Sequence, residues 1–211
     1  MPSRLHFSIW LALTVLLWGG LLWMQGTPIL SLNYLKPFSG VVAANVIGAT
    51  LLNKFIWAWP IINGLLIKRP DLRGTWKVTF SSSWINPDTG EGAGEFKAFI
   101  VIRQTLTSLS FRMVTPESSS QLVSHGFEQH DDGLVRLQGT YRNEPKIELQ
   151  STRSKVHYGS FLLHIHGSPP SSLEGHYWTD RRSNGSMFLS DRRKELCDTY
   201  QQAAILFGSS E

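Results

Sequence analysis

Two short stretches in the polar part of the chain combine arginine with aromatic and small polar side chains. These stretches are TYRNEP, at residues 140–145, and YWTDRR, at residues 177–182. A guanidinium group can bind a phosphate through two parallel hydrogen bonds, and a flat base can stack on an aromatic ring. The pattern therefore indicates a site for a ligand with phosphates and bases. The candidate ligand-binding residues are Trp84, Tyr141, Arg142, Asn143, Arg153, Tyr177, Thr179, Arg181 and Arg182.

The same residues also have ordinary structural explanations. Tyr141 and Tyr177 are typical fillers of a small protein core, and an arginine at the surface is usually just hydrated. Ion pairs between such arginines and neighbours such as Glu144 or Asp180 contribute only about 0–1 kcal/mol. Both explanations stand for each residue at this stage.

The sequence contains no arrangement typical of catalysis. It has no nucleophile elbow and no P-loop, and the glycine-rich GEGAGEF leads into a predicted strand, whereas a phosphate loop leads into a helix. His164 and His166 lie on one strand face, but no third zinc ligand follows at a recognisable spacing. We therefore predict a binding protein and not an enzyme, with no catalytic residue, no metal and no cofactor.

An all-β domain is predicted to position the candidate site. From Arg73 onward apolar residues alternate with polar ones in short runs, separated by turn sequences such as HDDG and RRSNG. No helix long enough for a parallel crossover interrupts the runs, so an eight-stranded antiparallel up-and-down barrel is predicted, with a two-sheet sandwich as the alternative. The predicted strands are 73–81, 95–105, 108–115, 120–129, 134–143, 157–166, 173–181 and 185–191.

Strand alternation predicts which side chains face the barrel interior. One face carries Trp76, Val78, Phe80, Gly139, Tyr141, Asn143, Gly175, Tyr177 and Thr179. Because neighbouring strands run in opposite directions, the connectors after the first, third, fifth and seventh strands share one end of the barrel, here called the far rim. Its basic side chains come from the connectors after the fifth and seventh strands and are Arg142, Lys146, Arg153, Lys155, Arg181 and Arg182.

The first third of the chain has a different composition. Residues 1–70 contain five basic and no acidic side chains, whereas the remainder contains 15 basic and 16 acidic ones. The +4 net charge therefore belongs to the amino-terminal part and is poor evidence for DNA or RNA binding by the rest. The apolar runs predict two transmembrane helices at about 7–24 and 38–62, and the basic flanks predict that both termini are cytoplasmic.

Three predicted segments follow from these patterns. They are a transmembrane hairpin at 1–69, a barrel at 70–192 and a short helix or tail at 193–211. Within the second transmembrane helix Gly40, Ala44 and Gly48 recur every four residues, a spacing that lets helix backbones approach closely. This face is predicted to pack the first helix of the same chain, to mediate self-association, or both. The single cysteine, Cys197, excludes an internal disulfide and fits a reducing compartment.

Several short strings resemble a known protein family. RGTW, IRQT, GTYRNEP, HYGSFLL and GHYWTDR followed by NGSMFL occur in the order and spacing of the two-transmembrane, β-strand-rich effectors of bacterial CBASS antiphage defence. The resemblance implies a barrel that binds a cyclic dinucleotide made by a companion nucleotidyltransferase during infection. It further implies that binding drives self-association, disruption of the bacterial inner membrane and death of the infected cell.

Two other functional classes remain open from the sequence. A lipocalin-like, membrane-tethered carrier would need an apolar interior and few basic residues at its mouth, and the six basic residues of the far rim argue against it. An envelope scaffold would need no ligand at all, and no residue pattern separates it from a receptor.

Overall fold

A computed structural model of the chain describes residues 4–26, 37–65, 67, 69–83, 85, 90, 92, 94–130, 132–151, 154–167 and 169–208. The chain divides into two compact units, residues 1–62 and residues 63–211. The candidate site belongs to the second unit.

Eight strands form a closed barrel in the second unit. They are β1 (Gly74–Ser82), β2 (Glu95–Gln104), β3 (Leu109–Val114), β4 (Ser118–Gln129), β5 (Val135–Pro145), β6 (His157–His166), β7 (Ser172–Thr179) and β8 (Asn184–Arg193). Each strand pairs antiparallel with its neighbours in the chain, and β8 pairs antiparallel with β1 to close the sheet. The predicted eight-stranded antiparallel up-and-down barrel is confirmed, and the sandwich alternative is wrong.

Alternation along the strands separates the inner and outer faces of the barrel. Large side chains fill the inside of the barrel at the end opposite the far rim, and they are fully buried. They come from β1, β5, β6, β7 and β8 and include Trp76, Leu137, Leu163, Leu173 and Leu189. The indole Nε1–H of Trp76 donates a hydrogen bond to the carbonyl oxygen of Leu72 at 2.9 Å. This apolar layer fills the barrel end opposite the far rim, here called the near end.

A carboxyl-terminal segment packs on the outside of the barrel. The hydroxyl of Thr75 on β1 donates to the Glu195 carbonyl oxygen at 2.7 Å, and the Asp198 carboxylate pairs with Arg103 at 2.8 Å. A short helix, α5 (Tyr200–Leu206), follows, and the ring of Phe207 stacks on Phe99 of β2 at a centroid distance of 5.3 Å. The segment therefore covers apolar outer side chains of β2.

The first unit is helical, with α1 (Arg4–Met24) and α2 (Phe38–Lys54). A 3-10 helix at Ile56–Ala58 and helix α3 (Pro60–Leu65) follow α2. Among the described residues two further short helices belong to the second unit, α4 (Ile147–Gln150) between β5 and β6, and α5. The hydroxyl of Thr14 on α1 donates to Asn45 Oδ1 on α2 at 2.8 Å.

The predicted transmembrane hairpin is wrong. Among the described residues, no helix combines the length and the apolar character that crossing a membrane requires. The apolar run 38–62 is not one helix, because the backbone at Phe55 leaves helical geometry and a new helix begins at Pro60. Proline lacks the amide hydrogen and clashes with the preceding turn, so it favours a helix start over continuation. The predicted placement as a two-pass protein of the bacterial inner membrane with both termini cytoplasmic is wrong for the same reason.

The three small residues predicted to mediate helix association lie at different positions on α2. A β-carbon at Gly48 would lie 3.6 Å from the Trp10 ring of α1, whereas a β-carbon at Gly40 would meet no atom within 4 Å. Ala44 is exposed, and Val41 is buried. Of the three, only Gly48 therefore approaches α1.

Candidate functional site

A cavity of about 480 Å³ lies inside the barrel at the far rim. Its wall is formed by residues near the ends of β1, β3, β5 and β7 and near the starts of β2, β4, β6 and β8. Cavities of about 300–1,000 Å³ are typical of small-molecule sites. Since the apolar layer fills the near end, the cavity is a cup that opens at the far rim.

Two aromatic groups line this cup. In the first, Phe80 of β1 stacks on Phe96 of β2 at 5.0 Å, and Tyr177 of β7 meets Phe80 edge-on at 5.6 Å. In the second, Phe161 of β6 stacks on Phe111 of β3 at 4.7 Å and lies 6.4 Å from the ring of Tyr141 on β5. All of these residues line the cavity. The order of strands in the barrel puts the two groups on different sides of the cup.

The phenol of Tyr141 is partly buried in the wall of the cup. Burial raises its pKa well above the ordinary value, because the charged phenolate is disfavoured away from water, and Tyr177 adds to the effect. The hydroxyl group therefore stays protonated at physiological pH and is available as a hydrogen-bond donor.

A row of buried polar side chains crosses three neighbouring strands of the cup. Ser120 of β4 is the register partner of Asn143 on β5, and Asn143 is the register partner of His157 on β6. All three are buried and line the cavity. The Ser120 hydroxyl donates to Asn143 Oδ1 at 2.7 Å, and His157 Nδ1 lies 3.0 Å from the Lys155 carbonyl oxygen.

The turn between β7 and β8 closes part of the rim. The hydroxyl groups of Thr179 and Ser183 lie 2.7 Å apart, and the Thr179 amide donates to the Ser183 carbonyl oxygen at 2.9 Å. Arg182 has a φ of 62°, a left-handed conformation that fits this tight turn. The adjacent Arg181 lines the cavity and donates from Nη1 to Ser154 Oγ at 2.9 Å. Arg181 thus connects the β7–β8 turn to the segment before β6.

Charge in the cup is sparse. The charged residues among its described lining are Lys97, Glu117 and Arg181. Strand alternation places the Lys97 side chain on the outer face of β2. Arg181 is therefore the strongest candidate for binding an anionic group of a ligand. Among the described residues, no group of three or more histidine, cysteine or acidic side chains is placed to hold a metal ion.

The structure brings together five of the nine predicted ligand-binding residues. Tyr141, Asn143, Tyr177, Thr179 and Arg181 all line the cup. Arg142 lies on the outer face of β5 and pairs with Glu144 at 3.0 Å, and Arg182 is exposed on its turn. Trp84 and Arg153 lie outside the described residues.

Several lining residues were missed by the sequence analysis. They include Phe96, Phe111, Ser120, His157, Phe161 and Ser183. Strand alternation predicts that His157 faces the barrel interior, since it shares a strand face with the apolar residues at 161 and 163. The cross-strand register that joins His157 to Asn143 had no such signal in the sequence.

The same part of the chain matches a known family. Residues 67–191 match the family model described as Cap15, cyclic dinucleotide receptor domain. The match covers more than half of the chain and contains all eight strands except the last two residues of β8. No curated protein matches the chain with significance.

Proposed function

Because the chain belongs to the family of Cap15 cyclic dinucleotide receptor domains, we propose that the far-rim cup is the site where it binds a cyclic dinucleotide. The ligand class and the context of CBASS defence come from the family. The geometry of the cup supports it as the binding site, because aromatic groups lie on two of its sides and Arg181 lines its wall.

The chemistry of the cup suits the two halves of such a ligand. Each base has a flat face that can stack on an aromatic ring, a contact worth about 1–3 kcal/mol per base. Arg181 supplies a guanidinium group for a phosphate, and the hydroxyl groups of Thr179 and Ser183, which are hydrogen-bonded to each other, line the same cup. No step of this function requires catalysis, so we propose a receptor that binds its ligand without changing it. A companion nucleotidyltransferase is proposed to make that ligand.

We further propose that ligand binding drives self-association through the outer face of the barrel. Tyr158, Trp178 and Phe188 lie on neighbouring strands β6, β7 and β8, and their exposed fractions are 49%, 47% and 44%. Partly exposed aromatic side chains on the outer face of three adjacent strands are typical of protein interaction surfaces. We call these three residues the outer aromatic patch.

The effect on the cell is proposed to follow from assembly. Helices α1 and α2 expose large apolar side chains, among them Leu16 and Val46. An assembly would gather many such side chains, which can contact lipid and disturb the membrane, leading to death of the infected cell.

Calorimetry on the 211-residue protein tests the binding step. We expect cyclic dinucleotides to bind and to raise the melting temperature, since a ligand selective for the folded state stabilises it. The matching linear dinucleotides should bind much more weakly, because they lose more conformational freedom on binding. If no member of a panel that combines all four bases and both phosphodiester linkages binds, the proposed function is wrong.

A further inference from the structure

The polar row formed by Ser120, Asn143 and His157 is placed to contact a ligand in the cup. These three side chains are buried, with exposed fractions of 4%, 6% and 8%, in a wall that is otherwise largely apolar and aromatic. A buried polar group without a partner destabilises the protein, so a row of them needs defined hydrogen-bond partners. Donors and acceptors of the row that are not used within the protein are available to a ligand.

The hydrogen bond from Ser120 fixes the role of Asn143. A hydroxyl group that contacts an amide oxygen must be the donor, so Ser120 Oγ–H donates to Asn143 Oδ1. The amide NH₂ of Asn143 takes no part in this bond. Asn143 therefore offers hydrogen-bond donors to the cup.

The carbonyl of Lys155 fixes the role of His157 in the same way. A carbonyl oxygen can only accept, so the proton lies on Nδ1 of the ring. Burial lowers the pKa of His157, and Arg181 adds to this effect, while the Lys155 carbonyl and Asp180 oppose it. The imidazole is therefore neutral at physiological pH, and its other nitrogen, Nε2, is a hydrogen-bond acceptor.

From this arrangement we propose that Asn143 and His157 together read the edge of one base. The inference rests on the proposed function, because it assumes that the cup holds a cyclic dinucleotide. The amide of Asn143 donates to an acceptor on the base, and Nε2 of His157 accepts an N–H from the same edge. Since the two residues are register partners on β5 and β6, their side chains lie side by side and match a donor next to an acceptor.

Selectivity follows from what happens when the edge does not match. A base analogue that lacks the N–H leaves Nε2 of His157 buried and without a partner, and a site built for hydrogen bonding rejects such an analogue. The aromatic groups cannot supply this discrimination, because every base has a similar flat face. Ser120 acts as a positioning residue, since it fixes the orientation of the Asn143 amide.

A comparison of variants and ligand analogues tests the proposal on the 211-residue protein. The tightest ligand of the panel is compared by calorimetry with its analogue that lacks the N–H donor on the base edge. We expect the analogue to bind the unmodified protein roughly five- to tenfold more weakly, the effect of one hydrogen bond. In His157→Leu the parent ligand should lose affinity and the difference between the two ligands should disappear. His164→Leu is the matched control, since His164 lies on the outer face of the same strand.

A second variant keeps the test informative if His157→Leu fails to fold. Asn143→Asp preserves shape but replaces the donor group with an acceptor, so the ranking of ligands that differ in edge acceptors should change. Asn184→Asp adds the same charge at an exposed rim position outside the lining of the cup and should weaken all ligands alike.

The outcomes separate the two proposals. If ligands bind but His157→Leu and Asn143→Asp keep the original ranking, the base-reading proposal is overturned and the cup remains a receptor site. If no cyclic dinucleotide binds the unmodified protein, both proposals are overturned.

Discussion

Gly159 lies directly opposite Tyr141, and the absence of a side chain there makes room for the Tyr141 ring. The two residues are register partners on β6 and β5. A β-carbon at Gly159 would overlap Cζ and the hydroxyl oxygen of Tyr141 and would lie 2.8 Å from the Trp178 carbonyl oxygen. The position of the phenol in the cup thus depends on a glycine in the neighbouring strand.

Gly159→Ala is expected to destabilise the barrel and to displace Tyr141. Overpacking of this kind costs about 1–3 kcal/mol, which urea denaturation would measure. The displaced ring should also weaken cyclic dinucleotide binding. Gly126→Ala is the control, because a β-carbon at this strand glycine would meet only the flexible Gln138 side chain, at 3.5 Å. Equal effects of the two substitutions would contradict the role assigned to Gly159.

Arg181→Ala should weaken ligand binding about tenfold or more, whereas Arg142→Ala should have little effect. A hydrogen bond to a charged group contributes about 1.5–3 kcal/mol, and only Arg181 lines the cup, while Arg142 pairs with Glu144 on the outer face. The salt dependence of the dissociation constant should decrease in Arg181→Ala alone. A larger loss in Arg142→Ala would move the phosphate site to the outer face of the barrel.

Stability should decrease as the pH falls below the ordinary histidine range. Burial lowers the pKa of His157, and burial with the nearby Arg69 lowers that of His125. The unfolded chain therefore binds protons at higher pH than the folded one, so stability is lost from about pH 6.5 downward toward the lowered folded values. Urea denaturation across this range should show a smaller loss for His157→Gln than for the unmodified protein. An unchanged pH profile in that variant would show that His157 does not contribute.

Replacing Trp178 and Phe188 by glutamate should prevent ligand-driven self-association. Charges in the outer aromatic patch are costly to bury in an interface, while the inner face of the same strands is unchanged. Analytical ultracentrifugation with ligand should show smaller assemblies, and calorimetry should show an affinity within about twofold of the original. Val123→Glu, at an exposed apolar position on β4, is the control. Normal assembly of the double variant would place the interface elsewhere.

Phe207→Ala should destabilise the second unit, by less than the about 3–5 kcal/mol typical of a fully buried phenylalanine, because Phe207 is half-buried. Phe207 stacks on Phe99 and lies within 5.9 Å of the Arg193 guanidinium group. Ile205→Ala, in the adjacent helix α5, removes a side chain that is 81% exposed and should have almost no effect. Thermal denaturation of both variants provides the comparison. Similar melting temperatures would mean that the carboxyl-terminal segment adds little to the barrel.

The parts of the fold that depend on strand alternation could be predicted from the sequence. Tyr141, Asn143 and Tyr177 face inward because every second residue of a strand does, and the same rule already implied that Arg142 faces outward. The prediction for Arg142 rests on its place near the far rim, whereas the structure has this side chain on the outer face of β5, paired with Glu144. His157 is in the sequence only one of several scattered histidines, because its polar neighbour Asn143 becomes apparent from the cross-strand register.

Other features depend on backbone geometry that composition does not contain. The apolar run 38–62 has the composition of one long helix, yet the backbone at Phe55 and the helix start at Pro60 divide it. The residues that form the cup come from all eight strands, and contacts such as that of Phe111 on β3 with Phe161 on β6 depend on the register of several strands between them. Their register is set by turn lengths and bulges, one of which lies between Leu122 and Ser124.

The pairing of β1 with β8 determines when, during synthesis, the barrel can close. The first strand begins at Gly74 and its closing partner begins at Asn184, so the pairing joins segments at opposite ends of the domain. During synthesis β1 stays without its closing partner until β8 has left the ribosome, and a contact between such distant segments forms late because it must close a long loop. A nascent chain lacking β8 has an open sheet edge and an incomplete cup. Binding of the proposed ligand is therefore expected only after β8 has been synthesised and paired with β1.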